Sequence, residues 1–257
     1  MRILHKIANL IYPEDITCIV CGEELDIATR YCICKKCEIN RLDNYCLQCG
    51  CKITGTKKYC DNCLSSGRQF DVARAPFCFE ENNARRLVYA LKYGDKTYLG
   101  KYLAEFMADV FYKQDWSPDI ITYIPLHKRK QIFVRGYNQS ELIAKALSEI
   151  IDVPMAPLLK KTSYSNKNAS LLGREDRKKL LKDTFTVTED VKGKRILLVD
   201  DVLTTGSTTE ECARVLKLAK AKNVWVLTFA TSSEHLKLFD PKDDNEKLQK
   251  MISGKKL

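Results

Sequence analysis

The sequence predicts an α/β protein in which helices flank a parallel sheet and a cysteine-rich unit precedes the sheet. Strand-length apolar runs alternate with helical patterns from about residue 72 onward. One apolar run, Ile196–Val199, leads directly into two adjacent carboxylates and a tract of Thr, Gly and Ser. Ten of the 12 cysteines fall between residues 18 and 63, which predicts a separate cysteine-rich unit in that segment.

The composition is that of a basic globular protein. Hydrophobic residues make up 45% and charged residues 30% of the 257-residue chain, and the net charge is +10. The charge is spread along the chain, so it fits a solvated surface as well as attraction to phosphates or nucleic acid. No apolar run approaches the roughly 20 residues of a membrane span. The first residues do not resemble a signal peptide, so we expect a cytoplasmic protein with reduced thiols.

The amino-terminal segment MRILHKIANLIYP predicts a short amphipathic helix. Its apolar residues share one helical face, and Pro13 closes the segment. We favour docking of this helix on the rest of the protein over binding to a membrane surface. With the cysteine-rich segment it makes a first unit at 1–66. A main domain at 67–231 and a charged tail at 232–257 follow, and the polar residues 64–71 are interpreted as the linker.

Eight of the cysteines form four C-x-x-C pairs arranged as a tandem repeat. The first and third pairs lie 28 residues apart, the second and fourth lie 26 apart, and a glycine follows the first and the third. Four thiolates per repeat make a closed tetrahedral site of the structural zinc type, so we predict two zinc ions. An iron–sulfur cluster is the alternative, and redox catalysis is a weaker one. The predicted ligands are Cys18, Cys21, Cys34 and Cys37 for the first ion and Cys46, Cys49, Cys60 and Cys63 for the second.

The remaining cysteines are interpreted as structural. Cys32 and Cys51 each lie one residue away from a ligand pair and are interpreted as spares, while Cys78 and Cys212 are predicted to be small buried apolar side chains. The metal sites themselves are expected mainly to fold a segment too short to build its own core. A dedicated surface for nucleic acid or a partner protein is the alternative.

The sequence of the main domain predicts strands and helices in alternation. We expect a strand at 71–81, two helical stretches of which the second covers 98–112, a buried strand at 119–125, a helix at 138–151, a mobile loop at 162–183, a strand at 194–201, a helix at 207–220 and a strand at 223–231. Strand–helix–strand alternation of this kind gives a parallel sheet.

The segment ILLVDDVLTTGST at 196–208 predicts a phosphate site. Ligands of open parallel sheets bind beyond the carboxyl ends of strands. A helix that begins near Ser207 would offer free N–H groups to a phosphate, and Gly206 permits close backbone approach. Asp200 and Asp201 would repel the anion directly, so we expect them to hold ribose hydroxyls or Mg²⁺ beside it. A plain helix cap explains the hydroxyls but not the paired acids.

The same segment resembles, at every position, the phosphoribosyl diphosphate (PRPP) binding signature of type I phosphoribosyltransferases. From about residue 10 to residue 231 the chain resembles the ComF family (ComFC/GntX-like proteins), which joins a double zinc ribbon to a phosphoribosyltransferase domain. The other segments that carry the resemblance are LKYGD at 91–95, IPLHKRKQIFVRGYNQSELIA at 124–144 and FTVTEDVKGKRILLVDD at 185–201.

The resemblance implies roles for individual residues. Asp200 and Asp201 would bind the ribose hydroxyls of PRPP, with Mg²⁺ as its companion ion. The residues implied to hold the 5-phosphate are Thr204, Thr205, Gly206, Ser207 and Thr208.

Arginines are implied to handle the diphosphate. Arg129 and Arg135 follow the family's diphosphate loop at 125–127 and would neutralise the diphosphate, because guanidinium pairs with phosphate in fork geometry. An ordinary salt bridge is the alternative for Arg135. Arg174 and Arg177 would close over it from the mobile loop. That loop departs from the family pattern, because Asn168 stands where a Gln is usual and Leu180 where an Asn is usual.

Three other polar side chains receive structural interpretations. Asn138 is expected to cap the following helix. His127 and Lys92 are interpreted as packing or solvent-facing side chains and not as catalytic groups.

Three functions stay open at this point. An enzyme would displace diphosphate from C1 of PRPP with a nitrogen nucleophile from an acceptor that the sequence does not identify, mainly by positioning and charge stabilisation. A competence protein of DNA uptake, as the family implies, would handle single-stranded DNA with other competence proteins and keep the phosphate loop for ligand sensing. A scaffold whose ribbons dock a partner protein is the third. The oligomeric state is not predicted.

Overall fold

A computed structural model describes residues 17–26, 29–127, 136–162 and 180–233. The predicted amino-terminal helix, nearly all of the predicted tail and most of the predicted mobile loop lie outside these ranges. So do four predicted site residues: Arg129, Arg135, Arg174 and Arg177. Within the described residues, no helix combines the length and the apolar character needed to cross a bilayer.

The helices and strands follow the predicted alternation. In chain order they are α1 (Asp61–Ser66), β1 (Val72–Arg74), β2 (Phe77–Cys78), α2 (Asn82–Tyr93), α3 (Leu99–Phe111), β3 (Ile120–Tyr123), α4 (Gln139–Ile151), β4 (Leu159–Lys161), β5 (Phe185–Val187), β6 (Arg195–Leu203), α5 (Ser207–Leu218) and β7 (Asn223–Thr231). A single 3-10 turn, Lys35–Cys37, lies among the cysteines.

A five-stranded sheet forms the centre, and all its neighbouring strands run parallel. Its order is β1-β7-β6-β3, and β2 pairs with β7 beyond the end of β1. The pairing of β6 with β3 ends at Tyr123 and Val199, whereas β6 pairs with β7 as far as Leu203 and Thr231. The last residues of β6 therefore extend beyond the carboxyl end of β3, and this edge of a parallel sheet is where ligands commonly bind.

Each face of the sheet carries one hydrophobic core. One core unites α2, α3 and α4 with the first cysteine repeat, and the other unites α5, the antiparallel pair β4–β5 and the second repeat. Sheets of this kind bury both faces, which is why β6 reads as a continuous apolar run up to Val199. The two cysteine repeats thus complete the cores on the two opposite faces of the sheet.

Three predicted segments differ from what was expected. The strand expected at 71–81 is split into β1 and β2, because Pro76 has no N–H group to donate to a ladder. The strand expected to end at 201 continues to Leu203. The expected linker at 64–71 is structured: it completes α1, and Phe70 packs in the second core. An apolar side chain of that size stays with the core rather than in a solvated connection. The division of the chain at 66 and 231 stays a prediction.

Candidate functional site

The cysteines predicted as ligands come together in two groups of four. Within each group the sulfur atoms all lie within 4.8 Å of one another, so each group could hold a metal ion such as zinc. Gly22 and Gly50 turn the chain after the first pair of each group at φ values of +77° and +70°. Their N–H groups donate to the carbonyls of Cys18 and Cys46 at 2.8 and 2.9 Å, which closes each turn around its metal-binding pair.

One thiol of the first group, that of Cys18, has surroundings that favour its thiolate form, whereas burial raises the pKa values of Cys21 and Cys37. Burial alone would raise the pKa of the Cys18 thiol, but hydrogen bonds from the backbone of Cys34, Cys21 and Val20 lower it to about 7. The Cys34 N–H donates to the Cys18 sulfur at 3.4 Å. Thiolate ligands supported by backbone N–H groups are typical of structural zinc sites.

The other four cysteines lie outside these groups. Among the described residues, neither four-sulfur group includes Cys32 or Cys51, which agrees with their interpretation as spares. Cys78 and Cys212 are both buried, as predicted. Cys78 also donates to the Glu80 carboxylate at 2.9 Å, and burial is the main cause that raises the pKa of its thiol to about 12.

The two acids of β6 have different surroundings. Asp201 is 3% exposed, forms an ion pair with Lys92 of α2, and accepts a hydrogen bond from Gln139 of α4 at 3.3 Å. Asp200 is half-buried and accepts a hydrogen bond from the Ser140 hydroxyl at 2.6 Å. Three side chains from two helices therefore fix the acids at the carboxyl end of the sheet.

Burial and mutual repulsion act on the Asp200 carboxyl. Burial, followed by the neighbouring Asp201 carboxylate, raises the pKa of Asp200 to about 8. The hydrogen bond from Ser140 and the charge of Lys92 act in the opposite direction and are weaker. A carboxyl group held in this way gains from an incoming cation or hydroxyl donor, and such groups cluster at functional sites.

The amino terminus of α5 follows the acids directly. Gly206 precedes the helix at φ +79°, and no side chain caps the helix there. The hydroxyl groups of Thr205 and Ser207 lie 3.1 Å apart at this end. Thr204, Thr205 and Thr208 are half-buried, whereas Gly206 and Ser207 are buried. A helix start of this kind presents N–H groups and hydroxyls to an anion.

The described residues therefore bring together the predicted acids and the predicted phosphate loop, 204–208. The structure tests the interpretations of Asn138 and Lys92. Asn138 caps α4 as expected: its side chain accepts from the Ser140 N–H at 3.1 Å and donates to the Ile124 carbonyl. The interpretation of Lys92 as a packing or solvent-facing side chain is wrong, because it pairs with Asp201.

Sequence reasoning also missed Gln139 and Ser140, which contact the acids from the first turn of α4. The signal was present, because both residues and Lys92 lie inside segments that carried the family resemblance. His127, in the segment after β3 that the resemblance implies to be a diphosphate loop, is half-buried.

Sequence comparison identifies relatives of the carboxyl-terminal part of the chain. The family model "Phosphoribosyl transferase domain" matches residues 137–252. Competence protein F of Haemophilus influenzae is 32% identical over 113 residues, which are 42% of this chain and 48% of that protein. DNA utilization protein YhgH of Escherichia coli is 35% identical over 112 residues, which are 43% of this chain and 49% of that protein. The chain spans about half the length of the curated relatives it matches.

Comparison with solved structures finds chains of low sequence identity. Glutamine PRPP amidotransferase from B. subtilis is 20% identical with a TM-score of 0.34, over 67% of this chain and 34% of that one. Purine phosphoribosyltransferase from Pyrococcus horikoshii is 16% identical with a TM-score of 0.32, over 54% of this chain and 90% of that one. The parallel sheet with flanking helices and the family match confirm the predicted fold class, and the two cysteine groups fit the predicted double zinc ribbon.

Proposed function

We propose that this chain binds PRPP with Mg²⁺ at the carboxyl end of β6. The proposal is supported by its phosphoribosyl transferase domain, which is homologous to Competence protein F and YhgH. One observation carries the proposal: Asp200 and Asp201 lie near the carboxyl end of β6, and after the five residues 202–206 the helix α5 begins at Ser207 without a side-chain hydrogen bond from its N-cap residue Gly206. A carboxylate pair beside an anion site suits a ligand that has sugar hydroxyls next to a phosphate.

The roles of the loop and the acids follow from their positions. The N–H groups at the start of α5, with the hydroxyls of Thr204, Thr205, Ser207 and Thr208, hold the 5-phosphate. Asp200, the more exposed acid, accepts hydrogen bonds from the ribose hydroxyls, while Lys92 and Gln139 hold Asp201 in place.

Mg²⁺ and the four arginines act on the diphosphate in this proposal. Carboxylate oxygens are ligands that Mg²⁺ prefers, and the bound ion neutralises diphosphate charge. Arg129, Arg135, Arg174 and Arg177, outside the described residues, supply the guanidinium groups on the diphosphate side.

The metal content and the cellular role complete the proposal. The two four-cysteine groups hold one structural zinc ion each, because closed sets of four thiolates suit Zn²⁺. The chain acts in the use of incoming DNA in the cytoplasm, a role taken from the names of its relatives Competence protein F and DNA utilization protein YhgH.

A second function, binding of single-stranded DNA, is favoured by the net charge of +10 and by the same printed names. A salt titration separates it from PRPP binding. Affinity for an oligonucleotide should fall steeply with salt through counterion release, whereas PRPP binding should require Mg²⁺ and be lost in Asp200→Asn. Oligonucleotide binding that ignores salt contradicts this second function.

The test of PRPP binding is thermal unfolding of the zinc-loaded protein with PRPP, with and without Mg²⁺. A ligand at about 100 times its dissociation constant adds roughly 2.7 kcal/mol, which moves the midpoint by a few degrees. We expect a Mg²⁺-dependent shift in the wild-type protein and none in the variant Asp200→Asn. Diphosphate release on addition of candidate acceptors then measures turnover. The absence of any shift in the wild type would refute the proposal.

A further inference from the structure

The chain segment that follows the second cysteine group contacts the start of α5 and the predicted phosphate loop, 204–208. Helix α1 carries Cys63 and ends at Gly67, whose N–H donates to the Cys63 carbonyl at 3.2 Å. Arg68 follows at once. Arg68 therefore lies just after the helix that carries Cys63, one of the predicted metal ligands.

Arg68 joins that thiol to α5. Its Nε donates to the Cys63 sulfur at 3.3 Å, and its Nη1 donates to Glu210 at 3.0 Å. The side chains of the ion pair are only 7% and 11% exposed. A buried pair of this kind resists separation, because removing one partner leaves an uncompensated charge in the interior.

Glu210 places this contact at the phosphate loop. It lies in the first turn of α5, and its second carboxylate oxygen accepts the Gln69 N–H at 2.9 Å. A Cβ atom added at Gly206 would lie 3.1 Å from the Arg68 Nη1 atom. The backbone at Gly206 thus lies against the Arg68 guanidinium. This contact limits how far the loop can move away from a ligand.

We propose that Arg68 is a positioning residue that couples metal binding at the second cysteine group to the phosphate loop. A bound metal fixes the Cys63 sulfur, the sulfur orients the guanidinium, and the guanidinium holds Glu210 and the start of α5. The effect on ligand affinity rests on the proposed PRPP site, but the effect on the loop does not.

The first test compares Arg68→Met with Arg214→Met. Arg214 is a matched control because it also pairs with acids on and near α5, Glu211 and Asp183 at 2.6 Å each, whereas it has no hydrogen bond to a ligand cysteine among the described residues. We expect Arg68→Met to keep both metal ions, to speed amide hydrogen exchange at 204–211, and to raise the PRPP dissociation constant about tenfold, a usual size for coupling between sites. Arg214→Met should do neither of the last two. Arg68→Lys should fall between, since an ammonium group reaches one partner at a time.

The second test removes one metal at a time. Cys46→Ser removes the second metal ion and Cys18→Ser the first, and elemental analysis verifies each loss. We expect only Cys46→Ser to speed exchange at 204–211, and we expect no further increase when it is combined with Arg68→Met, because both changes break one chain of contacts.

The outcomes are separable from those of the proposed function. Equal exchange at 204–211 in the two arginine variants, or unchanged exchange after loss of the second metal, overturns the role of Arg68. A wild-type protein that binds no PRPP overturns the proposed function alone, because the exchange measurements need no ligand.

Discussion

Asp201 and Lys92 form a nearly buried ion pair at the edge of the candidate site. Neither partner is easily removed alone, because the other charge would stay in a place with little water to solvate it. Asp201, which forms the pair, is buried, whereas Asp200 beside it is half-buried.

Lys92→Met should lower the free energy of unfolding of the ligand-free protein by about 3 kcal/mol, since it removes the opposite charge that compensates the buried Asp201 carboxylate. The double variant Lys92→Met/Asp201→Asn should be more stable than Lys92→Met, because it leaves no buried charge. Chemical denaturation of the two single variants and the double variant measures the coupling. Strictly additive effects would show that the pair contributes nothing.

The raised pKa of Asp200 predicts a pH dependence with a definite sign. Its pKa rises from 3.8 to about 8 on folding because of burial and the Asp201 charge. The folded state therefore binds more protons than the unfolded state between these values, and stability falls as pH rises through that window.

Asp200→Asn removes this penalty, so the variant should gain stability over the wild type as pH rises from 5 to 8. The gain should grow by at most about 1.4 kcal/mol per pH unit. Unfolding at several pH values without ligand measures it. A difference that is constant with pH would contradict the assignment. The same variant should lose PRPP binding, which is the expected conflict between stability and function at a ligand site.

Among the elements, the loop from β6 to α5 has a steric constraint that can be tested by substitution. Gly206 combines a left-handed backbone with close contact to Arg68, whereas Gly193 has nearly the same φ of +73° and no atom within 4 Å of an added Cβ. The two glycines therefore separate the cost of backbone strain from the cost of crowding.

Gly193→Ala should cost about 1 kcal/mol of stability through backbone strain alone. Gly206→Ala should cost more, because the added methyl group pushes against a guanidinium that Glu210 and Cys63 hold in place. It should also abolish the Mg²⁺-dependent thermal shift with PRPP, which Gly193→Ala should keep. Equal losses of stability in the two variants would mean that the guanidinium moves aside freely.

Sequence patterns predicted the elements well and their contacts poorly. The periodicity of 223–231 and the cap at Asn138 are local, so the bounds of β7 and the start of α4 follow from neighbouring residues. The cysteine spacing gave the correct two groups for the same reason. The partners of Asp201 and Glu210 did not follow, because Arg68 and Glu210 are 142 residues apart and no local rule links a particular charge to a particular partner. The linker interpretation of 64–71 failed through a related cause, since its polar residues Arg68 and Gln69 have partners in a distant helix.

At the scale of the whole molecule, the two cysteine groups act as parts of the two cores. Cys18 and Cys37 are buried with residues of α2, α3 and α4, and Tyr31 stacks on Phe106 of α3 with 4.0 Å between ring centroids. The second group is buried with residues of α5 and β6. Metal loss on either side should therefore loosen the sheet domain as well as the ribbons.

The two tryptophans of the chain allow that expectation to be measured, because they stack on each other at the sheet. Trp116 stacks on Trp225 of β7 with 5.9 Å between ring centroids, so their fluorescence reports unfolding of the sheet. Removal of metal with a chelator should lower the fluorescence midpoint by several degrees, because the ribbons are part of both cores and a change of about 1 kcal/mol moves the midpoint of a domain this size by roughly 2–4 °C. Adding Zn²⁺ back should restore it, which serves as the control for damage by the chelator. If the ribbons instead folded and unfolded as separate units, the tryptophan midpoint would stay constant while a probe attached in the ribbons changed. The shared cores predict one cooperative transition that depends on metal.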